Sequence, residues 1–307
     1  MSVNAHQWLI GPSASMNEPA DVAAIRVDCH RGLRGPYTGL GSVLRVVVPR
    51  TQQEIVRART VEILSAAPEL EAWCDAPLET LTSLAAPTER TRIYPANRTR
   101  RLAHGAVELL TANAAQAGPL ELVFDRADEA DHTDQEFLAI LVRRVRPAQV
   151  KVVVCTRGEA VTSELAAALH RYALRTVEDR APVQADCRDD DALLRAFIDA
   201  DGTSADPAEA AAYQLASPQT RARLHDARAA ELAGRDERSL RFGAIPYHLE
   251  HGSDPAGAGV DALYEATRYC GAMGFYHMVI ELGSRARDLV DPDTRMEDFW
   301  LLSTRVS

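Results

Sequence analysis

The segment Leu120 to Asp131, LELVFDRADEAD, holds the residues best spaced for chemistry. Its apolar run ends in Asp125, which reads as a buried strand delivering a carboxylate to the edge of a sheet. A carboxylate so placed can hold a Mg²⁺ ion against the phosphates of a nucleotide. Hydrolysis there also requires an acid beside the first to orient water. Arg126 stands in that position, and a guanidinium accepts no hydrogen bond. A phosphate site further requires a lysine in a glycine-rich loop. The chain's only lysine is Lys151, inside the apolar run Val150 to Cys155, so the residues predict little or no ATP hydrolysis.

The elements that would position Asp125 follow from periodicity. Ala23 to Cys29 (AAIRVDC) predicts a short strand, and Gly39 to Val48 a helix stopped by Pro49. Helical spacing returns over Gln52 to Ala66 and over Arg98 to Gln116, where Leu102, Ala106, Leu109 and Leu110 recur at intervals of three and four. Two strand-like runs, Leu120 to Phe124 and Val150 to Cys155, flank a helical stretch from Asp134 to Arg144. Strand, helix, strand implies a right-handed crossover and a parallel pair. Past Arg180 the strand signals fade, and Asp191 to Asp199, Asp206 to Ala216, Gln219 to Leu232 and Ala258 to Met273 predict helices. The expected fold class is α/β, with an incomplete parallel sheet followed by an all-α half.

Composition narrows the partners. With 34 basic against 44 acidic residues and a formal net charge of -10, the chain is not drawn electrostatically to nucleic acid or to anionic membranes. No run approaches the roughly 18 apolar residues of a membrane-spanning helix. The five cysteines are scattered singly, which fits a reducing cytoplasm better than an exported disulfide scaffold. His248, Glu250 and His251 could suggest a metal, but HLEH spaces its two histidines three apart without a third ligand in reach, so a helix surface is the expectation there. His225 is expected to pack, and Arg98, Arg100 and Arg101 to form a solvated helix start. The run Gly35 to Ser42 (GPYTGLGS) has Leu40 and Gly41 where a phosphate loop has its second glycine and lysine, which predicts a structural turn.

Taken in order, VDCHRGLRGPYTGLGSVLR, a charged helical region, RTRRLAHGAVELL, LELVFDRADEADHTDQEFLAILVRRV and VVVCTR resemble the core of STAND signalling ATPases, above all the large ATP-binding regulators of the LuxR type. In that family the acidic strand end is followed by a small-residue stretch and another Asp, which Asp131 matches. The next strand ends in a sensor arginine, which Arg157 matches. The resemblance thus implies a P-loop-NTPase-like domain over residues 1–180 with a vestigial Mg–nucleotide site at Asp125, Asp131 and Arg157, and ATP or ADP with Mg²⁺ as a weak ligand at most. No other cofactor and no metal centre is expected. The family's phosphate loop precedes the strand that AAIRVDC resembles; here Met1 to Val22 stand before it without a lysine, and Gly11 to Ser15 is a candidate remnant. SPQTRARLHDARAAEL and YHLEHGSDP resemble the winged-helix region, implying such a domain over 181–256.

Residues 257–307 predict the start of tetratricopeptide-like repeats. Setting Leu263 as the first anchor puts Ala266, Cys270, Gly274, Tyr276, Val279, Ala286 and Pro292 near the small, aromatic and breaker positions of such a repeat. A further helix from Thr294 carries Met296, Phe299, Trp300 and Leu302 as a broad apolar face, which either a partner covers or further repeats of a longer protein continue. That predicts self-association or a helical protein partner bound through Met296, Phe299 and Trp300. The expected work is protein binding by a regulatory or scaffolding module. A residual nucleotide-binding switch, and an accessory protein that grips a peptide or carrier for a biosynthetic enzyme, are the alternatives.

Overall fold

The computed structural model describes residues 5–11, 24–74, 95–177, 189–291, 293, 297 and 303. Met296, Phe299 and Trp300 lie outside the described residues, as does the stretch after Gly11. The chain divides into two compact units. The first comprises residues 1–29 and 37–179, the second 30–36 and 180–307.

The first unit is built on a five-stranded sheet of β1 (His6–Ile10), β2 (Ala24–Asp28), β3 (Leu120–Asp125), β4 (Val150–Thr156) and β5 (Ala173–Val177). Its order is β2-β3-β4-β1-β5 and every pairing is parallel. Parallel strands require crossovers, which the helices of this unit supply. A four-residue helix α1 (Arg31–Arg34) falls in the second unit. The first unit then has α2 (Thr38–Val47), α3 (Gln53–Ala58), α4 (Thr60–Ala66), α5 (Pro95–Ala117), α6 (His132–Arg144) and α7 (Ser163–Tyr172). The strand–helix–strand reading of Leu120 to Cys155 corresponds to β3, α6 and β4, with Val123 level with Val153 on two interior strands. Both valines are buried and pack with Cys155, Leu9 and Ala24. On the other face Leu122, Phe124, Val152 and Val154 are buried, and Phe124 meets Phe137 of α6 edge to face.

Three differences from the sequence reading have physical causes. The helix expected over Gln52 to Ala66 is broken at Arg59 (φ -130, ψ 22) into α3 and α4. There the Thr60 hydroxyl competes for the Val56 carbonyl. Strand β1 was not signalled, because HQWLI opens on a polar residue at a buried position. The His6 ring makes this possible: Nδ1 accepts from the Val152 amide at 3.2 Å, so Nε2 carries the proton and donates to the Val145 carbonyl at 3.2 Å. Burial accordingly holds His6 below its ordinary pKa, against the pull of the Val145 bond. Strand β5 is short, at the sheet's edge and largely exposed, with Leu174 and Val177 facing solvent.

The second unit continues as α8 (Asp190–Asp199), α9 (Pro207–Leu215), α10 (Pro218–Ala233), α11 (Ala244–Glu250), α12 (Val260–Met273) and α13 (Tyr276–Leu289). Helices α8 and α9 share a small core of Leu193, Leu194, Ile198, Ala212 and Tyr213, and Leu232, Leu240, Ala244 and Ile245 form another. Helices α12 and α13 make an antiparallel-type hairpin around Leu263, Ala266, Cys270, Val279 and Ala286, all buried. Gly274 ends α12 in the left-handed region (φ 81), which a Cβ disfavours. The aromatic anchor of this hairpin is Phe275, fully packed; Tyr276, expected in that role, is about half exposed.

Candidate functional site

Because all five strands run the same way, their carboxyl ends share one edge. The chain leaves β1 toward β2 and leaves β4 toward β5, while β1 and β4 are neighbours. That reversal creates the crevice in which open α/β sheets bind ligands. Gly11, directly after β1, donates its amide to the Thr156 carbonyl at the end of β4 at 2.9 Å, and Arg157 follows. Asp125 ends the adjoining β3, with only 3% of its surface exposed. The topology therefore brings Asp125, Arg157 and Gly11 to the same edge.

Lys151 is at the opposite edge. It is the second residue of β4, so its Cα is about 16 Å from that of Thr156 at the strand rise of ~3.3 Å per residue, and its ammonium is bonded to Glu121 at 2.8 Å.

The local electrostatics are acidic and internally paired. Arg126 adopts φ 51, ψ 41, an uncommon conformation for a residue with a side chain. Its amide caps Asp125 Oδ1 at 2.9 Å, while its guanidinium turns to Asp28, level with Asp125 on β2, with Nε donating to Oδ1 at 2.9 Å and Nη2 to Oδ2. Arg157 is engaged in the same way. Its amide donates to Asp128 Oδ2 at 3.3 Å and its guanidinium binds Glu129. Four carboxylates (Asp28, Asp125, Asp128 and Glu129) thus face two guanidiniums, and a phosphate arriving at Arg157 must displace an acid already there. Of these acids only Asp125 was singled out from sequence; the signal for the others was their crowding in RADEAD and the Asp closing AIRVD.

Asp131 has a different place. It caps α6, accepting from the amides of Thr133 (2.8 Å) and Asp134 (3.3 Å) and from the Thr133 hydroxyl, and also from the amide of Tyr37 (3.1 Å). Asp134 continues the arrangement, accepting from the amides of Gly39 (2.6 Å) and Leu40 (3.0 Å) in the first turn of α2. Two carboxylates therefore fill the helix N-terminus that GPYTGLGS supplies: Gly35 to Tyr37 form the turn, Thr38 to Ser42 already belong to α2, and the anion site is occupied from within. Gly41 is a packing glycine: a Cβ there would lie 2.5 Å from the Ala66 carbonyl oxygen. Both acids are almost wholly buried. Burial raises Asp131, against the hydrogen bonds it accepts; burial and then the charge of Asp131 push Asp134 up to about 8.

In the second unit the expectation of a solvated HLEH surface fails for one histidine. His248 is completely buried beside His225, equally buried, while His251 is exposed. Among the described residues no group of three or more His, Cys, Asp or Glu could hold a metal ion, and no helix is long and apolar enough to cross a membrane. No protein-family model, curated protein or solved structure matches the chain.

Proposed function

We propose that this chain is a regulatory or scaffolding protein-binding module of the STAND signalling-ATPase type, with a degenerate nucleotide site and little or no ATP hydrolysis. The observation that carries this reading is the division of labour across the sheet. The crevice edge has Asp125 and Arg157 at the ends of β3 and β4, but the only lysine is at the other edge and is neutralised by Glu121. Without a cation on the transferring phosphoryl group, and with Arg126 bound to Asp28 where a water-orienting acid is required, transition-state stabilisation is lost twice over. On this reading the helical half does the work, as a winged-helix-like stretch followed by tetratricopeptide-like hairpins that hold a protein, in a cytoplasmic setting.

The expected result of an ATPase assay with Mg²⁺ is no turnover above background. A turnover on the order of 1 per second, as in ordinary phosphoryl-transfer enzymes, abolished by Asp125→Ala, would overturn it. One observation favours a second reading, a nucleotide-binding switch: Gly11 lies hydrogen-bonded to Thr156 at the crevice, where a weak ATP–Mg²⁺ or ADP ligand would sit. Calorimetric titration with ATP and Mg²⁺ separates the two, since the module binds without nucleotide and the switch requires it.

For the partner surface, size-exclusion chromatography with light scattering is expected to show the wild type self-associating, or carrying a helical partner. Phe299→Asp/Trp300→Asp is expected to release it, because aromatic anchors supply roughly a kcal/mol or more each at interfaces. A monomeric wild type with an indistinguishable double variant removes the basis for placing the surface there.

A further inference from the structure

Helices α9, α10 and α11 bury a chain of polar side chains that the reading above does not use. Tyr213 Oη lies 2.9 Å from His225 Nε2, His225 Nδ1 lies 2.8 Å from His248 Nδ1, and His248 Nε2 lies 3.1 Å from Asp201 Oδ1. Arg228 closes the end, donating from Nε to the same Asp201 oxygen at 2.8 Å.

The direction of every bond follows by elimination. Against the penalty of burial, the bonds from His248 and Arg228 hold Asp201 below the usual carboxylate range, so it is ionised and only accepts. His248 Nε2 therefore carries a proton. In the neutral ring Nδ1 is then an acceptor, His225 must donate to it from its own Nδ1, and His225 Nε2 is left to accept from the Tyr213 hydroxyl.

One added proton cannot enter without reversing this order. The two facing Nδ1 atoms share a single hydrogen, so the newcomer must leave His225 Nε2 protonated, whichever ring holds the charge. Tyr213 must then accept where it donated, and its own proton is turned elsewhere. Tyr213 also lines a pocket of about 680 Å³ together with Gln219, Arg221, Arg223 and His251.

We propose that Tyr213, His225, His248 and Asp201 form a one-proton switch in the helical unit, which sets whether Tyr213 offers the pocket an acceptor or a donor. The groups facing the pair favour one charge and refuse two. Asp201 lies against His248. Arg221, Asp226 and Arg228 come from α10, and Tyr247, Glu250 and His251 from α11 and its end. Arg285 of α13 holds Glu250. Burial first, then the positive charges of His248 and His251, press His225 down to about 3, so a second proton does not join the first near neutral pH. Gly202 (φ 76) packs under the Tyr247 ring, where a Cβ would meet Cζ at 2.3 Å, fixing the loop that presents Asp201. Asp201 is itself left-handed (φ 52).

The test is nitrogen-15 NMR of the full chain labelled at histidine, titrated from pH 8.5 downward. The expected result is a single midpoint common to both rings, at which His225 Nε2 gains a hydrogen while the pair gains one charge. Tyr213→Phe removes the oxygen that accepts in the charged state, where the bond is about twice as strong, and should lower the pair's proton affinity about fivefold. Asp201→Asn suits the left-handed backbone and keeps an acceptor oxygen, but removes the charge. It should lower the proton affinity tenfold or more while the chain stays folded. Separate midpoints for the two histidines, no transition at any pH where the chain is folded, or a Tyr213→Phe midpoint equal to wild type would each overturn the switch.

Discussion

Asp134→Ala is expected to destabilise the first unit by about 3 kcal/mol, from two buried amides, Gly39 and Leu40, left without an acceptor at roughly 1 to 3 kcal/mol each. Asp131→Ala should cost as much, because it removes the α6 cap and the bond that holds Tyr37 in its left-handed conformation (φ 57). The pair also makes stability depend on pH. Asp131 accepts four hydrogen bonds and is the better anion, so Asp134 keeps its proton into the neutral range, with a pKa about 8 in the fold against 3.8 for the free side chain. A folded value above the unfolded one means tighter proton binding in the fold. The stabilisation is therefore complete below about pH 4 and lost as pH rises toward 8. Native-state hydrogen exchange at the α2 amides is the suitable measurement, because it reports this region alone in a chain of two units. Protection should fall between pH 5 and 8 in the wild type and lose that dependence in Asp134→Asn. Equal protection across that range, or an Asp134→Ala variant as protected as wild type, would show the carboxylates to be incidental.

This pair also marks how far sequence reasoning reached. Asp131 was singled out by the family resemblance, but a carboxylate four hydrogen bonds deep in two helix starts has no capacity left for a metal, and the sequence could not reveal that Tyr37 would arrive from 94 residues away. Asp125 was legible as a strand end, because a parallel strand must end at the crevice edge whatever surrounds it, whereas Arg157 rested on the family resemblance alone. The pairing of Arg126 with Asp28 and of Arg157 with Glu129 was not legible, since it depends on side-chain direction and on the register of β2 against β3. The strand–helix–strand unit was legible from its periodicity. Strand β1 was not: a histidine in a buried strand position is justified only by two backbone partners on β4 and just before it. His225 and His248, read separately as packing and as surface, acquire their meaning from each other across 23 residues.

The sheet core should show the other large effect. Val123 and Val153 sit level on β3 and β4, interior strands with neighbours on both sides, and both are at least nine-tenths buried. Truncation to Ala removes two methyl groups at each site and leaves a cavity that flanking strands cannot fill without shifting their ladders, so each variant should cost about 1 to 3 kcal/mol. The two share contacts with Leu9 and Cys155, so the double variant is expected to be non-additive: the second truncation enlarges a cavity already open, and neighbours relax into both together. A summed loss of several kcal/mol is a large part of what a domain has in hand, and the double variant should lose protection throughout β1, β3 and β4 before the helices of the second unit lose theirs. Hydrogen exchange resolved by strand, with thermal melts of both single variants, is the check. If Val123→Ala and Val153→Ala each melt with the wild type, β3 and β4 are not the centre of the sheet, and the carboxyl edge that places Asp125 beside Arg157 has no support.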